Sequence, residues 1–341
     1  MKAVEISKVG CSKVIEMDVP RIEPDEVLIR VHATGICASD IAAYLGQHPY
    51  RVPPVISGHE SAGEIIEIGR NVKGFKLGEK VVVEPQIGCG ACWLCKNGDY
   101  NICKQKRLMG TPNWVGGFAQ YIAVPAPCIY KIPSDMPYPE ATLIEPLSVG
   151  LHAIARSGLK GGESVAVLGT GAIGLMLVLS NIYGKAGSVI CSDIKEEKLE
   201  FAKSLGAKHV FNPRKTNVTE EILKLTDSIG VDIAFVTVGT DAIMDDALDI
   251  TRPKGKIIAV ANFKAYAQVG MPKVQLQERE IIGTAMYTRD DYLAAVEMMP
   301  HAITQLTGFI THRIGIEDLP AMLDAMAGKK IDNAVKIVVN M

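Results

Sequence analysis

Residues 164–174, Ser164-Val165-Ala166-Val167-Leu168-Gly169-Thr170-Gly171-Ala172-Ile173-Gly174, decide the fold. Val165 to Leu168 is a short apolar, β-prone run of the kind buried on both faces of a parallel sheet. It leads into Gly-x-Gly-x-x-Gly, after which Leu175 to Tyr183 reads as an apolar helix stopped by Gly184. A second apolar run, Val189-Ile190-Cys191-Ser192, ends in Asp193, 24 positions after Gly169. Gly169 permits the tight turn, Gly171 lets the backbone approach a pyrophosphate, and Gly174 lets helix and strand pack closely. The helix start around Ile173 offers unpaired N–H groups and partial positive charge to phosphates. Asp193 can accept from both ribose hydroxyls and repels a 2′-phosphate, and Ile194 follows it where an arginine would suit NADP. A bare glycine motif is weak evidence, and a turn that binds nothing is the alternative. Strand, glycines, helix, strand and acid in this order favour a site for NAD.

Working outward, the same alternation continues. Helices are expected over 195–205, 218–228 and 241–251, and strands over 209–211, 231–238 and 256–261. That rhythm predicts an α/β, doubly wound parallel sheet of Rossmann type with right-handed crossovers. Val236-Thr237-Val238-Gly239 ends a strand on the ligand side, so the Val238 region is expected at the nicotinamide. Lys198 is a candidate for the adenosine ribose, with a solvated helix face as the equal alternative.

Residues 1–148 read differently. Val27 to His32, Gly63 to Ile68 and Lys80 to Val83 alternate as strands, with turns expected at Gly35, Gly69 and Gly78. The whole chain has 341 residues, about right for two domains. Its net charge of −2 gives no electrostatic reason to expect nucleic acid. The N-terminus lacks the apolar core of a signal peptide and no apolar run is long enough for a membrane span, so the sequence reads as cytoplasmic.

Four of the eight cysteines fall between 89 and 103, spaced Cys89-x2-Cys92-x2-Cys95-x7-Cys103. Four thiolates this close can converge tetrahedrally on one Zn²⁺ at little loop-closure cost, which makes a closed, structural site. An iron–sulfur cluster is the competing reading, but the spacing differs from ferredoxin runs. A second set is dispersed: Cys37 in Gly35-Ile36-Cys37-Ala38-Ser39-Asp40, His59 and Glu60 in Gly58-His59-Glu60, and Glu145 in Glu145-Pro146-Leu147. Singly each is weak. Together they supply a thiolate, an imidazole and carboxylates, a mixture that suits an open catalytic zinc.

The order of these motifs resembles the zinc-dependent medium-chain dehydrogenases over essentially the whole chain. It is most similar to the polyol branch, near sorbitol and threonine dehydrogenases, where Val83-Glu84-Pro85 and Glu-Pro-Leu also occur. The resemblance implies a β-rich, GroES-like catalytic domain at 1–148 carrying the structural zinc lobe. A Rossmann domain is then expected at 149–284, with a return to the catalytic domain at 285–341. It implies two zinc ions and NAD, and reversible oxidation of a secondary alcohol with zinc as Lewis acid in the cleft between domains. Cys37 and His59 would bind the catalytic zinc, with Glu60 or Glu145 as third ligand and the other reaching it through water. Ser39 would pass the alcohol proton outward, yet the histidine that continues this relay in many relatives is Ala42 here, and His48 is a weak substitute. Tyr44, Phe118 and Tyr287 are candidates to line the substrate cleft, with ordinary packing as the favoured alternative for each. A homotetramer or homodimer is expected, with a polyol, sugar acid or amino-alcohol as substrate. The alternatives are a zinc-free reductase of the same superfamily and a non-catalytic nucleotide-binding relative.

Overall fold

The computed structural model describes residues 1–263 and 266–341, and the chain falls into two units, Met1–Glu145 with Thr288–Met341, and Pro146–Tyr287. The first unit opens with a hairpin of β1 (Lys2–Lys8) and β2 (Cys11–Glu16). β3 (Glu26–Ile36) pairs antiparallel with β4 (Glu60–Ile68), and β4 with β5 (Lys80–Val83). Alternation along β3 turns Val27, Ile29 and Val31 into one core with Ile65, Val81 and Val83. Gly35 is not a turn: it lies inside β3, for a reason that belongs to the site. A ribbon of β6 (Gln86–Ile87) and β7 (Arg107–Leu108) closes the base of segment 88–106. β8 (Tyr121–Pro125) then pairs with β3, and β9 (Ile129–Lys131) with β5. Two helices follow, Tyr138–Ala141 and Ile144–Ser157.

The second unit holds six parallel strands: β10 (Ser164–Leu168), β11 (Ser188–Ser192), β12 (His209–Phe211), β13 (Val231–Val236), β14 (Thr251–Ala259) and β15 (Glu280–Gly283). Their order is β12-β11-β10-β13-β14-β15, which reverses direction between β10 and β13. Ligands of such sheets bind at the carboxyl ends of the strands beside that reversal. The helix Ala172–Tyr183 follows β10 and buries Gly174 through Asn181, as its apolar sequence requires. Each of its fully buried leucines contributes roughly 1.5–3 kcal/mol through burial. β15 was not legible in the sequence; it is an edge strand with mostly exposed side chains, so it carries no buried-strand signature.

The chain then returns to the first unit with β16 (Ile310–Gly315) and β17 (Lys336–Asn340). β17 pairs antiparallel with β3, Ile337 opposite Ile36, completing the order β16-β17-β3-β4-β5-β9 with β8 also on β3. Among the described residues no helix is long and apolar enough to cross a membrane.

Candidate metal centres and dinucleotide loop

The dispersed set comes together because of strand register. β3 and β4 run antiparallel with Gly35 opposite Glu60, so the chain leaving β3 toward Cys37 and the chain entering β4 from His59 meet at one end of the sheet. Donor atoms of Cys37, His59 and Glu60 all lie within 4.8 Å of one another. Glu145, 7% exposed in the first turn of its helix, is outside that group. Gly35 serves this arrangement: a Cβ there would sit 1.9 Å from Glu60 Oε2.

Asp40 organises the rest. It is fully buried at the third position of the helix Ala38–Tyr44, and its Oδ2 accepts from the Cys37 N–H at 2.9 Å. Oδ1 accepts from the Ser57 hydroxyl and from the Gly58 N–H at 3.2 Å, and faces His59 Nδ1 at 3.4 Å. One carboxylate thus ties the thiolate's backbone to the imidazole's ring. Burial opposes its charge, but His59, Arg51 and Ser57 hold its pKa well below the usual carboxylate range. At His59, burial and Arg51 work against a charged ring, yet Asp40 and Cys37 outweigh them and raise its pKa to about 10. A field that favours a proton on the ring also favours a divalent cation between ring and thiolate. A carboxylate behind a ligating histidine is the usual way its ring is oriented.

Lys336 on β17 is 3% exposed and donates to both oxygens of Glu60, at 2.7 and 2.8 Å, and to the Ile36 carbonyl at 3.4 Å. Burial lowers its pKa, but Glu60 and Cys37 more than compensate, so the amine is charged. Glu60 is therefore shared between a fixed ammonium and any metal its neighbours hold. Lys336→Met is expected to cost about 3–5 kcal/mol in urea unfolding, because it leaves a buried carboxylate without its cation. A loss below 1 kcal/mol would show that Glu60 finds its charge partner elsewhere.

The four-cysteine lobe fits zinc by distance. Cys89 and Cys95 sulfurs are 3.9 Å apart and those of Cys92 and Cys103 3.7 Å, and all four lie within 4.8 Å. A tetrahedral site with Zn–S of about 2.3 Å spaces its sulfurs about 3.8 Å apart. Backbone N–H groups of Cys92, Cys95 and Gln105 point at Cys89, Cys92 and Cys103 sulfurs at 3.4–3.5 Å, which suits thiolates. The N–H groups of Cys92 and Ala91 lower the Cys89 thiol, whereas burial raises that of Cys95. Glu84, from the Val-Glu-Pro run, anchors the lobe: Tyr100 donates to its Oε1, and Tyr130 to its Oε2 at 2.7 Å.

In the second unit the Gly169 loop leaves β10 and is closed by Asp193. Thr170 N–H donates to Asp193 Oδ2 at 2.7 Å and Lys195 N–H to Oδ1 at 3.0 Å. A Cβ on Gly174 would meet Gly169 O at 1.9 Å, whereas one on Gly171 would meet nothing within 4 Å. The loop thus packs on one side and lies open at Gly171, where a pyrophosphate needs room. Val238 abuts Gly169, Ile173 is in the first helical turn, and Lys198 is half-buried on the helix Glu196–Ser204.

The three cleft candidates are buried, in line with ordinary packing. Phe118 is fully buried with Val4 and Ile6, Tyr44 joins the same core and donates its hydroxyl to Gly10 O at 2.8 Å, and Tyr287 is fully buried. Asp40, Lys336 and Arg51 were not singled out from the sequence. An acid three residues after Cys37 is a helix-start pattern that signals Asp40; Lys336 has no local signal.

The fold and these centres define a zinc-binding, nucleotide-linked oxidoreductase. Residues 23–134 match the Alcohol dehydrogenase GroES-like domain and residues 172–300 the Zinc-binding dehydrogenase family. The chain belongs to the zinc-dependent medium-chain alcohol and polyol dehydrogenases. It is 37% identical to sorbitol dehydrogenase of Bacillus subtilis over 93% of this chain and 91% of that one. Among solved structures, 2R,3R-butanediol dehydrogenase of Bacillus subtilis superimposes with TM-score 0.90 at 30% identity, covering 100% of this chain and 99% of that one. A protein of Sinorhizobium meliloti 1021 whose crystal structure carries NADP gives TM-score 0.94 at 28% identity, covering 100% and 99%.

Proposed function

We propose that the chain catalyses reversible, NAD-linked oxidation of a secondary alcohol on a polyol, sugar acid or amino-alcohol, with one catalytic and one structural zinc. The observation that carries this reading is the convergence of Cys37, His59 and Glu60 donors within 4.8 Å, beside a buried Asp40. When bound, the ion supplies Lewis acidity toward the alcohol oxygen and the dinucleotide a hydride acceptor. The protein's share is position and charge. Cys37 and His59 hold the ion, Asp40 fixes the ring, and Glu60 is the third candidate ligand, its charge balanced by Lys336. Glu145, outside that donor group, is retained as the alternative third ligand, the other carboxylate reaching the ion through water. Ser39, two residues past Cys37, moves the alcohol proton outward.

The dinucleotide is assigned to Gly169, Gly171, Ile173 and Gly174, with Asp193 on the ribose and Lys198 and Val238 as further contacts. Asp193 followed by Ile194 favours NAD over NADP on charge. A zinc-free reductase needs no donors at Cys37, His59 and Glu60, so their convergence disfavours it. The test is a panel of secondary alcohols offered with NAD and NADP, read as NADH absorbance, beside metal analysis. About two zinc per chain and at least about a tenfold kcat/KM preference for NAD are expected. Asp193→Ala should narrow that preference. Equal use of both dinucleotides by the unaltered protein would sink the assignment of Asp193.

A further inference from the structure

Arg51, in the segment of chain that joins the helix Ala38–Tyr44 to β4, is 6% exposed. Its Nη1 donates to Ser39 Oγ at 3.4 Å and sits 3.0 Å from His48 Nε2, while Nη2 donates to the Met109 carbonyl at 3.3 Å. Its Nε has no partner among the described residues. A buried guanidinium without a directly paired carboxylate is costly, so its placement calls for a role.

A guanidinium can only donate, and it cannot lose a proton in a protein. Ser39 Oγ therefore accepts from Arg51 and keeps one lone pair for another donor, and its own O–H turns away from the guanidinium. Ser39 is half-exposed, so that O–H can reach water. His48 stands behind Arg51 and is poorly placed to take a proton. Its Nδ1 accepts from the N–H groups of Tyr50 and Arg51 at 3.1 and 3.0 Å, and its other nitrogen faces the guanidinium. Burial and Arg51 push its pKa down to about 4, with His59 adding to this and Asp40 opposing it.

We propose that Arg51 is a positioning residue for Ser39, and that the proton path runs from the alcohol to Ser39 to water and does not continue through His48. The inference rests on the alcohol-oxidation reading above. In the step, the alcohol O–H bond breaks as its proton joins Ser39 Oγ, and the original Ser39 proton passes to water. One proton reaches solvent and nothing is oxidised or reduced in the transfer itself.

A double-mutant cycle on alcohol oxidation tests it. Ser39→Ala is expected to lower kcat about 10²-fold and Arg51→Gln about tenfold, with KM little changed. If Arg51 acts through Ser39, adding Arg51→Gln to Ser39→Ala costs no further factor beyond about two. His48→Gln should stay within about twofold of the unaltered enzyme. Multiplying effects in the double variant, or a tenfold loss in His48→Gln restored by free imidazole, would overturn the proposal.

A second readout needs no turnover. The His48 ring, followed by NMR against pH, should titrate only below about pH 5, and at least one unit higher in Arg51→Gln. A midpoint near 6.5 in both proteins would also overturn it. An unaltered protein that oxidises no secondary alcohol would instead reject the functional reading, and the ring titration would still report on the Arg51–His48 arrangement.

Discussion

Replacing His59 with alanine is expected to lower kcat/KM for alcohol oxidation at least about 10³-fold, which corresponds to ~4 kcal/mol of lost transition-state stabilisation. Zinc content should fall from about two to about one per chain, because a thiolate and a carboxylate already paired with Lys336 form a poor site. Dinucleotide binding, read by NADH fluorescence, should change little: the Gly169 loop and Asp193 belong to the Pro146–Tyr287 unit, which has its own core. The variant should also fold. Asp40 loses the ring but keeps the Ser57 hydroxyl and the N–H groups of Gly58 and Cys37, so no buried charge is orphaned. The prediction therefore separates chemistry from stability. Full activity in a His59→Ala protein that has lost this metal would reject zinc-assisted oxidation, whereas lost activity together with lost folding would show that the ring's packing matters more than its donor.

How much of this was legible in the sequence depends on how local each feature is. The glycine loop, Asp193 and the four cysteines sit within stretches of 11 to 30 residues, and short-range spacing determines what they can hold. The dispersed set is different. Cys37 and His59 are 22 positions apart, and they meet only because the β3–β4 register sets Gly35 opposite Glu60. That register could not be read without the sheet, although resemblance to a family anticipated its outcome. Lys336 was invisible: it lies 276 positions from Glu60, and an isolated lysine near a C-terminal strand carries no pattern. Tyr44 and Phe118 lie near the motifs in sequence and fill a core with Val4, Ile6 and Leu319, as ordinary packing of large apolar rings would have them. Gly35 looked like a turn, but its lack of a side chain makes room for a carboxylate on the neighbouring strand.

Replacing Cys103 with serine is expected to release the other zinc and to unfold the lobe locally while the rest of the chain stays folded. The lobe has little else to hold it. Its short helix Trp93–Lys96 buries no residue and Trp93 is 73% exposed, so segment 88–106 has almost no apolar core. Its attachments include the β6–β7 ribbon and the Tyr100–Glu84 hydrogen bond. Metal bonding then supplies most of the local stability; structural zinc contributes about 10–16 kcal/mol in small zinc domains. Cys103 is the best single test because it is 3% exposed and closes the largest gap in the ligand run. Serine cannot replace its thiolate as a soft ligand. Tryptic cleavage at Lys96, Lys104 or Lys106 should accelerate at least about tenfold, since 1.4 kcal/mol of lost local stability already gives that factor. Amide exchange at Cys92, Cys95 and Gln105, whose N–H groups point at sulfur, should rise with it. Cys191→Ser is the control: that thiol is buried in β11 of the other unit and should leave zinc content unchanged. If Cys103→Ser kept two zinc per chain and full protease resistance, the closed four-thiolate site would be wrong, and the lobe's order would have to come from its other attachments.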